Sequence, residues 1–260
     1  LILTGNSQFK YAVMDPPGNK FIALKTYQGS QNGQSDLELV ESCFDADKLL
    51  YTAFRQIRIG FASHRNVLIP SSLYSVTEKR EPLKLLYGEG THETVLCDEL
   101  PELGLMNVYA VNRNILGFLK KEFPPALICH AATPLLRLGQ GLSRSEPDAV
   151  FLLVQPHWFG VMVFSGEKLL LQQQTRFSQT IDLAYHVLNI LDKLGISPET
   201  TALFLGGDSA ENASVFETIS PYIPNARWLD RLEGYQFSEK FSSYPSSYFF
   251  DLFAVALCGS

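Results

Sequence analysis

Three turns hold the residues of this chain best suited to chemistry. The first is Asp15-Pro-Pro-Gly18, set between two apolar runs. A phosphate cradle is built from N–H groups pointing inward. Pro16 and Pro17 carry no N–H, so this turn lacks two donors. A rigid hairpin bend with Asp15 as a local acceptor is the simpler reading. The second turn is Gln155-Pro-His157. A glutamine cannot serve as a general base or hold a hydrated metal by charge. Pro156 removes another donor, and His157 is a lone histidine in a bend. The third is Leu205-Gly-Gly-Asp-Ser209. Gly206 and Gly207 let the backbone come close to a flat ring or to a neighbouring strand. Asp208 or Ser209 can cap the helix that follows, whose N-terminus is positive. Nucleotide or anion binding and a plain strand-to-helix turn both fit this third stretch.

Other chemistry finds little support. The five histidines (His64, His92, His130, His157 and His186) show no H-x-x-x-H or H-E-x-x-H spacing. Cys43, Cys97, Cys129 and Cys258 form no C-x-x-C pair, so no zinc site is expected. Each cysteine lies in or beside an apolar segment and reads as a buried free thiol of a reducing compartment. No G-x-S-x-G elbow is present. Asp98, Glu99 and Glu102 around Pro101 read as a solvated acidic loop. The net charge of -6 and a pI near 5.4 disfavour nucleic acid and anionic membranes as partners. No apolar run reaches the ~18 to 20 residues of a membrane span, and no signal-peptide core is seen. The first residue is Leu1 and not Met, which leaves the true start open. The expected compartment is the cytoplasm.

The elements that would position these turns repeat one pattern. Apolar content of 46% against 18% charged residues suits a sizeable core. In the second half, Val150–Gln155, Phe159–Phe164 and Lys168–Gln174 read as a three-strand meander. Phe177, Ile181, Ala184, Leu188 and Leu191 then share a helical face that Gly195 ends. Ala202–Leu205 is a short strand covered on both sides, and a helix from Ala210 to about Ile219 follows. The first half gives the same order. Phe9–Asp15, Lys20–Tyr27 and Asp36–Cys43 read as strands, a helix runs from Asp45 to about Ile59, and Asn66–Ile69 is a strand. Between the halves, Leu83–Tyr87, Glu93–Cys97 and Leu105–Val111 read as strands, with a helix from Asn114 to Phe123. Ala126–Cys129 is a strand, and a helix capped by Thr133 runs through Leu138. Gly139 to Asp148 reads as the linker. Near the end, Arg227–Leu232 suits an edge strand and Tyr248–Cys258 a buried closing helix. Tyr235, Phe237, Phe241 and Tyr244 belong to an aromatic arm that either packs on the second lobe or forms a partner surface. The tip at Gly29 to Gln34 and the segment at Lys79 to Gly90 are further exposed candidates.

A duplicated unit of meander, helix, strand and helix resembles the ribonuclease H-like lobe. Paired, such lobes give the α/β actin-like ATPase fold: mixed sheets flanked by helices, here with an α+β insertion in the first lobe. The chain resembles a bacterial family of unknown function with that fold. It also resembles the actin-like assembly proteins of type IV pilus and type II secretion systems. The resemblance implies a first lobe at 1–145, with its insertion at about 71–125, and a second at 146–260. It also implies where nucleotide would sit. Asp15 and Gly18 take the place of the Asp-x-Gly turn between the first two strands, and Gln155-Pro-His157 takes that of its counterpart. Gly206, Gly207, Asp208 and Ser209 take the place of the adenosine turn. With two turns blocked by proline, the expectation is a non-enzymatic binding or scaffold protein with a degenerate cleft. It has no catalytic residue, metal or cofactor, and its partner is a protein. The alternatives are a divergent ATPase or small-molecule kinase using Mg-ATP, and an assembly component docking a peptide of a larger complex.

Overall fold

Alternating apolar residues build the first sheet. β1 (Ile2–Gly5), β2 (Gln8–Asp15) and β3 (Lys20–Gln28) form an antiparallel meander. A capping box opens α1 (Asp36–Ala46): the Ser35 hydroxyl accepts from the Glu38 amide, and the Glu38 carboxylate accepts from the Ser35 amide. β4 (Arg58–Phe61) then returns parallel to β1, with Ile2 opposite Ile59. An inserted antiparallel sheet follows, made of β5 (Asn66–Pro70), β6 (Glu93–Leu100) and β7 (Leu105–Asn112) in the order β5-β7-β6. Helix α2 (Glu81–Tyr87) lies between β5 and β6. α3 (Arg113–Glu122), capped by Asn112, leads to β8 (Leu127–His130), which pairs parallel with β4. α4 is Ala132–Ser143.

The second sheet repeats the arrangement. β9 (Asp148–Gln155), β10 (Trp158–Ser165) and β11 (Lys168–Arg176) form its meander. α5 (Thr180–Leu194) ends on Gly195 in the left-handed conformation. β12 (Ala202–Gly207) returns parallel to β9, α6 is Asn212–Ile219, and β13 (Asn225–Trp228) pairs parallel with β12. The strand β14 (Gln236–Phe237) pairs with β3, and α7 is Phe250–Ala254. The two sheets therefore share one order, 3-2-1-4-8 and 11-10-9-12-13, with β14 added at the edge of the first.

The computed structural model describes residues 1–29, 34–156, 158–208 and 212–259. The chain divides into two compact units. One is Leu1–Pro134 with Gln236–Lys240 and Leu252–Ser260, and the other is Leu135–Tyr235 with Phe241–Asp251. In the first, Phe9, Tyr11, Ile59 and Phe61 of the sheet pack with Leu39, Val40, Cys43 and Phe44 of α1. In the second, Val150, Leu152 and Val154 of β9 pack with Leu183, Val187 and Leu191 of α5. No helix of the described residues is long and apolar enough to cross a membrane.

The first lobe departs from the sequence reading in several elements. β1 precedes Phe9–Asp15, which is therefore the second strand. Asp36–Cys43 is helical and not extended, because Leu39, Val40, Cys43 and Phe44 recur at helical spacing behind the Ser35 cap. No helix spans Asp45 to Ile59; a short 3-10 turn, Lys48–Tyr51, is followed by an irregular run into β4. Asn66–Pro70 belongs to the inserted sheet, and Leu83–Tyr87 lies in a helix that Pro82 helps to open. α4 takes in the first part of the expected linker. The buried side of α5 is Leu183, Ala184, Val187, Ile190 and Leu191, and Ile181 is exposed. The closing helix is short: α7 passes into a 3-10 turn at Val255–Leu257. Cys97 is exposed, whereas the other three cysteines are buried.

Asp47 ties the α1 region to the meander. Its Oδ2 accepts from Tyr11 Oη at 2.5 Å, Lys25 Nζ at 2.5 Å and Tyr27 Oη at 2.9 Å, and its Oδ1 accepts from the Leu49 amide at 3.1 Å. Burial disfavours the charge, yet the bonds from Lys25, Tyr11, the Leu49 amide and Tyr27 outweigh it and hold the carboxyl far below the usual aspartate range. A carboxyl depressed in the folded state stabilises above its unfolded pKa, and that contribution fades as pH falls through the folded value. Tyr27, pushed up to about 12 by burial and then by Asp47, works oppositely. It favours the fold below its ordinary value and loses that contribution as pH rises towards 12. Asp47→Ala is expected to cost about 2–3 kcal/mol at pH 7. Urea denaturation across pH should show the gap to wild type narrowing below pH ~4; a gap that does not depend on pH refutes the assignment.

Candidate functional site

In open sheets of this kind, ligands bind beyond the carboxyl ends of the strands, where neighbouring connections leave in opposite directions. That position falls between β1 and β4 in the first unit and between β9 and β12 in the second.

In the first unit the turn joining β1 to β2 is Gly5-Asn6-Ser7, with φ of 122°, 53° and 58°. The Asp15–Gly18 bend joins β2 to β3 instead, so it is not the turn between the first two strands. Pro16–Gly18 is a 3-10 turn, and Asp15 is exposed and makes no side-chain capping bond. The backbone at Gly5–Ser7 is already engaged. The Ser7 amide donates to Asp36 Oδ1 at 3.1 Å, the Gly29 amide donates to the Ser7 carbonyl at 2.8 Å, and the Ala62 amide donates to the Thr4 carbonyl at 2.8 Å. A Cβ on Gly5 would lie 2.3 Å from the Ala62 carbonyl oxygen, so β1 and the chain leaving β4 meet backbone to backbone. β1 ends in Thr4-Gly5, without a carboxylate, and Thr4 is buried with no hydrogen bond to its hydroxyl among the described residues.

In the second unit β9 ends on Gln155, which is fully buried and donates from Nε2 to Asp251 Oδ2 at 3.1 Å. His157 and Ser209 lie outside the described residues. Gly206 and Gly207 close β12, and the chain itself fills the space beside them. The Gly207 amide donates to the Ser247 carbonyl at 3.1 Å. A Cβ on Gly206 would meet Leu229 Cδ1 at 2.9 Å and the Ser247 oxygen at 3.2 Å; one on Gly207, at φ 121°, would meet the Val154 oxygen at 2.0 Å. Asn212 donates to the Gly207 carbonyl at 2.8 Å, and Asp208 is half-buried in the bend.

The aromatic arm divides between the units. Phe237 packs its ring 5.1 Å from Phe21 and 5.0 Å from Phe253, within the first unit. Phe241 is buried and Tyr235 half-buried, and Tyr244 is exposed with its ring edge-on to Phe249.

Sequence reasoning missed a second carboxylate that gathers donors from distant parts of the chain. Asp98 lies on β6 and not in a solvated loop. Its Oδ2 accepts from the His130 amide at 2.7 Å and Thr133 Oγ1 at 2.6 Å, and its Oδ1 accepts from Tyr109 Oη at 3.0 Å. Asn107 donates to Thr133 Oγ1 at 3.0 Å, and Asn66 donates to Asn107 Oδ1 at 3.1 Å. Thr133 sits in the first turn of α4, so the carboxylate faces a helix N-terminus. The His130 ring accepts the Ala132 amide at Nδ1, which places its proton on Nε2, 2.8 Å from the Ser63 carbonyl. Burial outweighs that bond and lowers the His130 pKa to about 4, leaving the ring neutral. The sequence reading marked Thr133 only as the cap of this helix; α4 begins at Ala132, so Thr133 lies inside its first turn and its hydroxyl serves Asp98 instead. Among the described residues no group of three or more His, Cys, Asp or Glu could hold a metal ion.

Fold and site together define the class: an α/β protein with the actin-like ATPase fold. A solved protein of that fold and unknown function from Bacteroides thetaiotaomicron is similar at a TM-score of 0.83 and 17% identity, over 99% of this chain and 94% of that one. A chain of the PilM-PilN type IV pilus biogenesis complex is similar at a TM-score of 0.60 and 15% identity, over 98% and 95%. The chain belongs to the protein family of unknown function DUF3822, whose model matches residues 1–226. No curated protein matched the sequence.

The two glycine turns respond differently to a methyl group. Gly207→Ala is expected to cost at least about 2 kcal/mol, from positive φ and the Val154 contact. Gly18→Ala, whose Cβ would meet only Lys20 Cβ at 3.6 Å, should stay within about 0.5 kcal/mol. Asp98→Ala should cost about 2–3 kcal/mol by stranding the Thr133, Tyr109 and His130 donors. Chemical denaturation of the three variants measures all of this, and equal losses at Gly18 and Gly207 contradict the geometry.

Proposed function

We propose that this chain is an actin-fold binding or scaffold protein that does not turn over ATP. The observation that carries this reading is the Ser247 carbonyl at Gly207. The one turn with an intact glycine pair spends its close approach on the chain's own backbone and on Leu229. Phosphoryl transfer depends on positioned donors and metal. The corresponding groups here are otherwise engaged: the Ser7 amide by Asp36, and the Gln155 amide by Asp251. Pro156 offers no N–H. These residues do not fit a magnesium triphosphate, so no catalytic residue is assigned and no step is routed through ATP. Asp15, Gly18 and Asp208 are structural in this reading.

Its partner is a protein, and its compartment the cytoplasm, which suits four free cysteines. The likeness to a chain of the PilM-PilN complex favours a role in assembly, in which this chain docks a segment of a larger complex. Isothermal titration with Mg-ATP should give no binding heat at millimolar nucleotide, and the melting temperature should not move. Asp15→Ala should behave identically. Micromolar binding with phosphate release would end this proposal.

A further inference from the structure

One stretch of the first unit leaves large apolar side chains in water. Of the fifteen such side chains among the described residues, five lie between Leu73 and Tyr87: Leu73, Val76, Leu85, Leu86 and Tyr87. They are close in sequence, and Leu73 and Leu85 also line one groove, which sets them apart from the singly scattered apolar residues every surface carries. A surface helix turns one apolar stripe inward. Helix α2 does so through Leu83, which packs with Val95, Met106, Val108 and Ala110. Leu85 and Leu86 are left 86% and 59% exposed. Helix propensity does not require them, since lysine or glutamate would serve equally well there. Leu73 and Leu85 line one groove of about 420 Å³, with Ile69, Tyr74 and Pro82.

The charges around the patch select its occupant. Residues 78–89 carry three acids, Glu78, Glu81 and Glu89, and three bases, Lys79, Arg80 and Lys84. An acidic partner would call for a basic rim, and a basic partner for an acidic one. A balanced rim complements itself, because a two-fold axis sets the acids of each copy against the bases of the other. The chain as a whole carries -6, but residues 78–89 carry no net charge, so two copies meeting here bring no net like charge into the contact. The Lys84–Glu89 ion pair, with side chains 52% and 76% exposed, is weak enough to exchange partners.

We propose that the Leu73–Tyr87 face is an isologous contact between two copies of this chain, with Leu85 and Leu86 at its centre. It rests on reading the chain as a binding protein and names the partner. Sedimentation equilibrium of the full chain should show a monomer–dimer equilibrium. Leu85→Glu and Leu86→Glu should each weaken it at least about ten-fold. Their melting temperatures should match wild type at concentrations where all are monomeric, which separates lost contact from lost fold. A wild-type protein that remains monomeric at about 1 mM overturns the proposal. So does a dimer that both substitutions leave untouched, or a face that takes only a different protein. ATP turnover by the Leu85→Glu protein would refute the scaffold reading alone, since the patch shares no residue with the candidate site.

Discussion

Each unit depends on a parallel strand pair brought together at its carboxyl end by a glycine. Parallel strands cannot be joined by a tight turn and need a crossover. β4 and β12 therefore arrive beside β1 and β9 only after a long excursion, through α1 in one case and α5 in the other. Where each pair ends, one backbone touches the other: Gly5 against Ala62 in the first unit, Gly207 against Val154 in the second. The glycine sits on the first strand of the sheet in one unit and on the returning strand in the other. The same constraint is thus met by different residues, and this is one reason the two halves share a pattern without sharing sequence. Side chains at these positions would push the pair apart at the one place where the fold offers a ligand site.

The inserted sheet is held to the first unit by a polar network and not by apolar packing alone. Asn66, Asn107, Thr133 and Asp98 form a chain of hydrogen bonds from β5 across β7 and the start of α4 to β6, and Tyr109 and the His130 amide complete the carboxylate. Such networks are geometrically demanding, because each donor is aimed at one acceptor. The cost of breaking one member is the desolvation of those left behind. Here that fixes the inserted sheet beside β8, at the carboxyl ends of β4 and β8, where His130 also reaches the Ser63 carbonyl. The polar groups near the first unit's switch point are thereby committed to structure.

Much of the architecture was legible in the residues. The second meander, α5, β12 and α6 follow from alternation, then a 3.6-residue period, then a short apolar run and a glycine pair. The first lobe was harder. Leu37 and Leu39 alternate like the start of a strand, and the helix signal that should have outweighed them is the Ser35-x-x-Glu38 spacing, which the structure closes as a capping box. Leu83–Tyr87 is likewise too short for periodicity to separate helix from strand. The strand β1 went unread, so Asp15–Gly18 was placed at the first turn of the sheet although it forms the second. Asp98 was hidden for a different reason. An acid beside Glu99 and Pro101 looks solvated until residues 32 and 35 positions away are brought to it.

By itself the sequence determined the class: a duplicated α/β pattern, missing N–H groups at Pro16, Pro17 and Pro156, no metal-ligand spacing and an acidic net charge. These are properties of residue types and of near neighbours in the chain, which local chemistry governs. Only the tertiary structure decided which turn lies at which end of a sheet, and that Ser247 rather than a ligand meets Gly207. It alone showed that Leu85 and Leu86 face water. Those facts depend on contacts between residues far apart in the chain, and no local pattern encodes which distant atom will occupy a given space.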